Sequence, residues 1–137
     1  MIRAQPFRHP LTVYYEDTDA AGVVYYANYL KFMERARTEW LAALGWPLAQ
    51  VEREFSRVFV VTHVDIAFLH PARLNDRLDA TVEVVDRGAS RLVLAQEISR
   101  ADRPLTRARV TLACLDRDRW RPARLPAPLV AAMENTQ

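Results

Sequence analysis

At 137 residues the chain fits one domain (1–137), large enough to bury a core without disulfides or a structural metal. Half of it is hydrophobic and 26% is charged, with a formal net charge of only +2. That balance fits a globular protein and excludes the strongly basic surface, interleaved with aromatics, that marks nucleic-acid binding. Its single cysteine, Cys114, excludes an internal disulfide; the apolar neighbours Val110, Leu112 and Leu115 mark a buried structural thiol rather than a nucleophile.

The N-terminal stretch MIRAQPFRHP has no apolar run of leader length. Nowhere do about 18 apolar residues follow one another, so the expected compartment is the cytoplasm, without integral membrane association. LTVYYE (11–16) alternates, with Leu11, Val13 and Tyr15 on one face, and predicts a short strand ending in a loop over 17–22. From Asn28 the period changes. Tyr29, Phe32, Met33, Ala36, Trp40, Ala43 and Leu44 recur at helical spacing, and Gly45 followed by Trp46-Pro47 is a stop signal. At ~1.5 Å per residue this helix is a rod of roughly 25 Å. Strands are predicted over 57–69, 77–86, 90–99 and 105–115, joined as antiparallel hairpins at Gly88-Ala89 and at 101–104. Arg117–Pro128 reads as a surface crossing, and Leu129–Met133 as a final helical turn. The order β-α-β-β-β-β predicts an α+β layer, a curved and mainly antiparallel five-stranded sheet against one long helix.

The unusual stretch is EDTDAAGVVYYANY (16–29). Glu16, Asp17 and Asp19 stand directly before Val23, Val24, Tyr25 and Tyr26, although an unpaired buried carboxylate costs several kcal/mol. One reading is turn chemistry, with aspartates bonding to nearby backbone N–H groups. The other puts an acid in a cleft facing the start of the following helix, where free N–H groups and the helix dipole favour an anion or a developing oxyanion. Chemistry and spacing leave both open.

The segment YYEDTDAAGVVYYANYLKFMERARTEWL resembles the signature of hotdog-fold acyl-CoA thioesterases of the 4-hydroxybenzoyl-CoA thioesterase type. It is closest to their YbgC subgroup, associated with the tol–pal system. HPARLND (70–76) and Ser90 in the following hairpin extend the likeness over nearly the whole chain. The resemblance implies a sheet wrapped around one helix, with subunits paired so that active sites form between them, often as dimers of dimers. It implies acyl-CoA as substrate, with coenzyme A entering only as part of it and no cofactor besides. By position it puts the catalytic carboxylate on Asp19 and the carbonyl-polarising backbone N–H on Tyr26. Asp19 would act as nucleophile, through a mixed anhydride, or as general base on water.

Gly22, Val24, Tyr25, Asn28 and Tyr29 are the substrate-binding candidates around that centre. Gly22 would supply a backbone conformation or close approach. Asn28 would cap the helix or bond within the loop, with capping preferred. Tyr15, Tyr25 and Tyr29 would line an acyl pocket or pack the core. Asp17 is assigned a structural loop role. Many YbgC relatives carry His where this chain has Tyr26, so an imidazole contribution is absent. The hydroxybenzoyl-specific relatives place several basic residues before the serine matching Ser90. Here the segment is Arg87-Gly88-Ala89, which leaves Arg87 and Arg91 as candidates for the coenzyme A phosphates or as solvated hairpin residues.

His9, His63 and His70 form no metal-ligand spacing with one another or with Cys114, and no metal is expected. No Gly-x-Ser-x-Gly elbow is present, which argues against a serine thioesterase. Two rival functions stand. One is a hotdog hydratase or dehydratase, disfavoured because no histidine lies between Asp17 and Trp40. The other is a non-catalytic acyl-thioester-binding protein. A carrier-protein thioester is an alternative substrate.

Overall fold

The computed structural model describes residues 5–135; the first four residues of the stretch read for a leader lie outside the described residues. The chain runs through β1 (Phe7–Thr12), a 3-10 turn (Tyr15–Asp17), the long helix α1 (Asn28–Ala43) and a shorter α2 (Leu48–Phe55). There follow β2 (Arg57–Phe68), β3 (Arg77–Arg87), β4 (Arg91–Arg100), β5 (Arg103–Asp116), a two-residue β6 (Arg121–Pro122) and α3 (Ala127–Asn135). The sheet order is β1-β3-β4-β5-β2, with β6 on β5, and every recorded pairing is antiparallel. Register shifts at Val61/His63, Val84/Asp86 and Ile98/Ser99 insert extra residues that bend strands, and the sheet curls about α1.

Alternation and helical period meet in one core. Tyr29, Phe32, Met33, Ala36 and Trp40 of α1 join Leu78, Ala80 and Val82 of β3, Leu92, Leu94 and Ile98 of β4, and Val110 of β5. Pro10 sits within β1 without breaking a ladder, because β1 is an edge strand and an edge tolerates a missing donor. The Ala101-Asp102 turn between β4 and β5 has both residues at positive φ, 49° and 66°, the geometry whose twist suits a two-residue hairpin.

The structure corrects several expectations at element boundaries. The first strand lies earlier than 11–16, at Phe7–Thr12; Val13 is buried as expected, but Tyr15 is 82% exposed on the 3-10 turn. The alternation misled because the chain leaves the sheet at Val13, whose N–H bonds to the carbonyl of Asp76 (2.9 Å). Helix α2 was not expected. It is only eight residues long and follows directly on Pro47, so the helical spacing of Leu48, Val51 and Phe55 runs for barely two turns. The final helix runs Ala127–Asn135 rather than a single turn, and β6 adds a short sixth strand.

Candidate active site at the start of the long helix

The acidic loop folds through its own backbone. The Asp19 N–H donates to the Val23 carbonyl (2.8 Å), and the Gly22 N–H donates back to the Asp19 carbonyl (3.0 Å). This tight turn needs a left-handed residue, and Gly22 takes φ +81°, a conformation that costs an L side chain about 1–2 kcal/mol. An added Cβ at Gly22 would meet nothing within 4 Å, so backbone angle, not crowding, selects glycine.

The two aspartates of this loop differ in fate. Asp17 is buried; its Oδ2 accepts from the Tyr14 N–H (2.8 Å). Its carbonyl takes two more bonds, from the Tyr25 N–H (2.9 Å) and the Asn28 side-chain amide (2.9 Å). Asp17 thus fastens the loop to the first turn of α1. Asp19 is exposed, and its one side-chain bond among the described residues is from the Ala21 N–H to Oδ1 (2.9 Å). Its Oδ2 faces no donor among the described residues.

Asn28 is the first residue of α1, and no side chain caps the helix. The preference for Asn28 as a cap is therefore corrected: its amide is committed to Asp17. Upstream, the Asn28 N–H reaches the Tyr25 carbonyl (2.8 Å), whereas neither the Tyr26 N–H nor the Ala27 N–H meets an acceptor among the described residues. These are the unsatisfied donors of a helix start, where the dipole is also positive. Asp19 and the open Tyr26 N–H both lie on the segment between the 3-10 turn and α1.

A second segment braces that loop. The Val24 N–H donates to the Ala72 carbonyl (2.8 Å), Val23 bridges Arg73, and the Ala72 N–H donates to the Tyr29 hydroxyl (3.0 Å). Asp76 then accepts from the Arg73 N–H (2.9 Å) and pairs with Arg100 (2.6 Å). Val24 and Tyr29 are buried, and burial raises the Tyr29 phenol above its ordinary pKa, partly offset by the Ala72 bond. Both positions are filled by the protein's own packing. The bracing pair Asp76–Arg100 escaped sequence reading, although Asp76 lies in the HPARLND segment already singled out.

The surface beside the Tyr26 N–H is aromatic. Tyr26 is 62% exposed, lies 4.9 Å from the Tyr25 ring, and meets Phe68 edge-on at 6.1 Å. A side-chain hydrogen bond with Tyr26, then charge repulsion from it, holds the Tyr25 hydroxyl above its ordinary pKa.

The hairpin candidates lie elsewhere in the chain. Thr12, next to the acidic loop, pairs with Arg77 at the start of β3. Arg87, Ser90 and Arg91 sit at the opposite end of that strand, roughly 30 Å away at ~3.3 Å per residue. Arg87 pairs with Glu134 (2.7 Å) and Arg91 with Asp86 (2.8 Å), while the Ser90 carbonyl accepts from the Cys114 N–H (2.8 Å). One protomer does not bring them to Asp19. Cys114 is buried, with its thiol against the Arg124 carbonyl (3.8 Å), and burial raises its pKa. A protonated buried thiol is a poor nucleophile.

A match to the family profile described as the thioesterase-like superfamily spans residues 13–133. The chain belongs to that superfamily. Its hotdog thioesterase architecture is shared with Slr0204, a 1,4-dihydroxy-2-naphthoyl-CoA thioesterase from Synechocystis, at a TM-score of 0.87 and 29% identity over 96% of this chain and 97% of that one. Among curated relatives of this thioesterase family, the acyl-CoA thioesterase YbgC of Haemophilus influenzae is 38% identical, covering 94% of this chain and 95% of its own. The acyl-CoA thioester hydrolase YbgC of Escherichia coli O6:H1 is 42% identical over 91% and 93%. No helix among the described residues is long and apolar enough to cross a membrane.

Proposed function

We propose that the protein is an acyl-CoA thioesterase, hydrolysing the thioester to a free acid and coenzyme A thiol. The observation that carries this reading is the open Tyr26 N–H at the start of α1, on the same loop as an exposed Asp19. A thioester carbonyl placed against that N–H would have its developing oxyanion stabilised by a fixed backbone donor and the helix dipole. Asp19 Oδ2 then has two routes. It attacks the carbonyl carbon, expelling the thiolate and leaving a mixed anhydride for water to cleave. Otherwise it takes the proton from a water that attacks directly. Label in the Asp19 carboxylate after a single turnover in ¹⁸O-water would identify the first route, because only an anhydride cleaved at the Asp19 carbonyl can leave it there.

The site is completed by a second copy of the chain. β2 is an edge strand, and Val61, Phe68 and Leu69 on or next to it are exposed. Such an edge is a pairing template. A two-fold axis perpendicular to the sheet would join two β2 strands antiparallel, setting the Phe68 end of each beside the Arg57 end of the other. That brings the partner's Arg87, the partner's Ser90 and the partner's Arg91 to the same end of the assembly as Asp19, as candidates for the coenzyme A phosphates. A dimer of dimers is the further assembly expected, and light scattering would test it. With acyl-CoA as substrate, the cytoplasm is the compartment we assign; a carrier-protein thioester is the alternative donor.

The test is thiol release from a panel of acyl-CoAs by wild type and Asp19→Asn in parallel. The expected result is wild-type turnover with kcat at least about 10³-fold lower in the variant, the scale of losing a group that acts in the chemical step. An Asp19→Asn enzyme keeping most of its activity sinks the assignment of Asp19. Ligand binding without turnover by wild type would instead identify an acyl-thioester-binding protein.

A further inference from the structure

Away from the acidic loop, a cleft of about 240 Å³ lies between α1 and the edge of the sheet. Glu34, Arg37 and Leu41 form one stripe of the helix along it, and Phe59, Leu92 and Leu112 supply an apolar floor. Into this floor the helix delivers a cation. Gln96, buried at 2% exposure, donates its amide to two carbonyls, Met33 (3.1 Å) and Thr81 (3.2 Å). With both donors of that amide spent, Oε1 is fixed in direction, and it accepts from Arg37 Nη1 (2.9 Å). Gln96 therefore holds the guanidinium in place without neutralising it.

No carboxylate among the described residues reaches ion-pair distance of Arg37. Burial draws the Arg37 pKa below its ordinary value, and Glu34 one turn earlier only partly offsets this. A guanidinium has five donors in a planar fork suited to a carboxylate. One bond to a neutral amide leaves most of that fork unused. Arg57 and Arg100, which like Arg37 are half-buried, each have an acid within 4 Å, whereas arginines outside the ion pairs, such as Arg35, Arg73 and Arg109, are exposed to solvent.

We propose that this cleft takes the acyl group of the substrate and that Arg37 binds a carboxylate at its far end, so that the preferred substrates are ω-carboxyacyl thioesters. The inference rests on the thioesterase reading and on the two-fold pairing of β2. In that pairing the Phe68 end of one copy, with Tyr26 and Asp19 beside it, adjoins the end of the partner's β2 that carries Phe59 and the cleft. The thioester carbonyl is then held by one subunit and the far end of the acyl group by the other. An apolar stretch between the two ends matches the apolar floor. A carboxylate replaces the missing counter-ion, and its bond to Arg37 is charge-assisted in a partly desolvated site.

The experiment compares matched pairs of equal chain length, adipyl-CoA against hexanoyl-CoA and suberyl-CoA against octanoyl-CoA, as ratios of kcat/KM. Wild type is expected to favour the carboxylated member of at least one pair by about tenfold or more, the scale of one charge-assisted hydrogen bond. Arg37→Met should abolish or reverse that ratio. Thr38→Glu, which sets an acid in the cleft beside Arg37 and removes no buried group, should do the same and serves if Arg37→Met fails to fold. Equal or better use of the neutral members by wild type overturns the proposal. So does a ratio unchanged in both variants, including the case where Arg37→Met only weakens assembly and Arg37 is an interface residue. Wild type that releases no thiol from any of the four, the result expected of Asp19→Asn, overturns the thioesterase reading and this inference with it. Turnover of all four without preference overturns this inference alone.

Discussion

The two ends of α1 are built to opposite standards. At its C-terminus Gly45 takes φ +91°, the Gly45 N–H bonds to the Ala42 carbonyl (3.0 Å) and the Trp46 N–H to the Leu41 carbonyl (2.9 Å). That is a complete Schellman closure, satisfying carbonyls a helix otherwise leaves open. At its N-terminus no side chain caps the helix, the Tyr26 and Ala27 N–H groups are unpaired among the described residues, and exposed aromatics surround them. Open donors are usual at a helix start; under the proposed function these are the ones a thioester carbonyl would meet.

The same contrast separates two aspartates two positions apart, and asparagine substitution is the sharpest way to break it. Asp17→Asn keeps a carbonyl oxygen able to accept from the Tyr14 N–H, so kcat should fall less than about tenfold. Asp17→Ala loses that acceptor at a buried site and should cost about 1–3 kcal/mol in stability, read by urea denaturation. Asp19→Asn should do the reverse, leaving the midpoint of unfolding near wild type while removing turnover. Were Asp17→Asn the inactive variant and Asp19→Asn the active one, the roles assigned to the two residues would be exchanged.

The glycines test the two ends with a smaller effect. Gly22 and Gly45 both have positive φ, and an added Cβ at either meets nothing within 4 Å. Alanine should therefore cost each about 1–2 kcal/mol through backbone strain alone. Only Gly22→Ala should lower kcat, because it shifts the turn that presents Asp19, and small misplacements near the chemistry cost up to about 10²-fold. Equal loss of activity in both variants would mean that helix stability, rather than loop geometry, governs turnover.

Much of this was legible in the chain. The helix ran from Asn28 to its stop at Gly45 because its apolar period and stop signal agree, and each long strand carried its own pattern. The acidic loop stood out because carboxylates precede a core. Less visible were features set by partners distant in sequence. The Asn28 amide goes to Asp17, Asp76 is held by Arg100, and Gln96 aims at Arg37 across 59 positions. No local pattern records such pairs. The strand boundary at Val13 was also misplaced, since alternation continues through Tyr15 while the backbone has already left the sheet.

The smallest expected effect tests whether an unsatisfied group by itself signals function. Thr106 Oγ1 is a buried side-chain polar atom without a hydrogen-bond partner. It lies on β5 directly opposite Phe68, whose ring stands 5.7 Å from that of Tyr29, hence at the same end of α1 as the open N–H. Unlike Tyr26, it is sealed from solvent and from substrate. Replacing its hydroxyl with a methyl of similar shape removes a desolvated group that forms no bond, so Thr106→Val should raise stability by about 1 kcal/mol or be neutral, with kcat unchanged. Loss of activity without loss of fold would enrol Thr106 in the site and show that the opening at this end of α1 extends into the core.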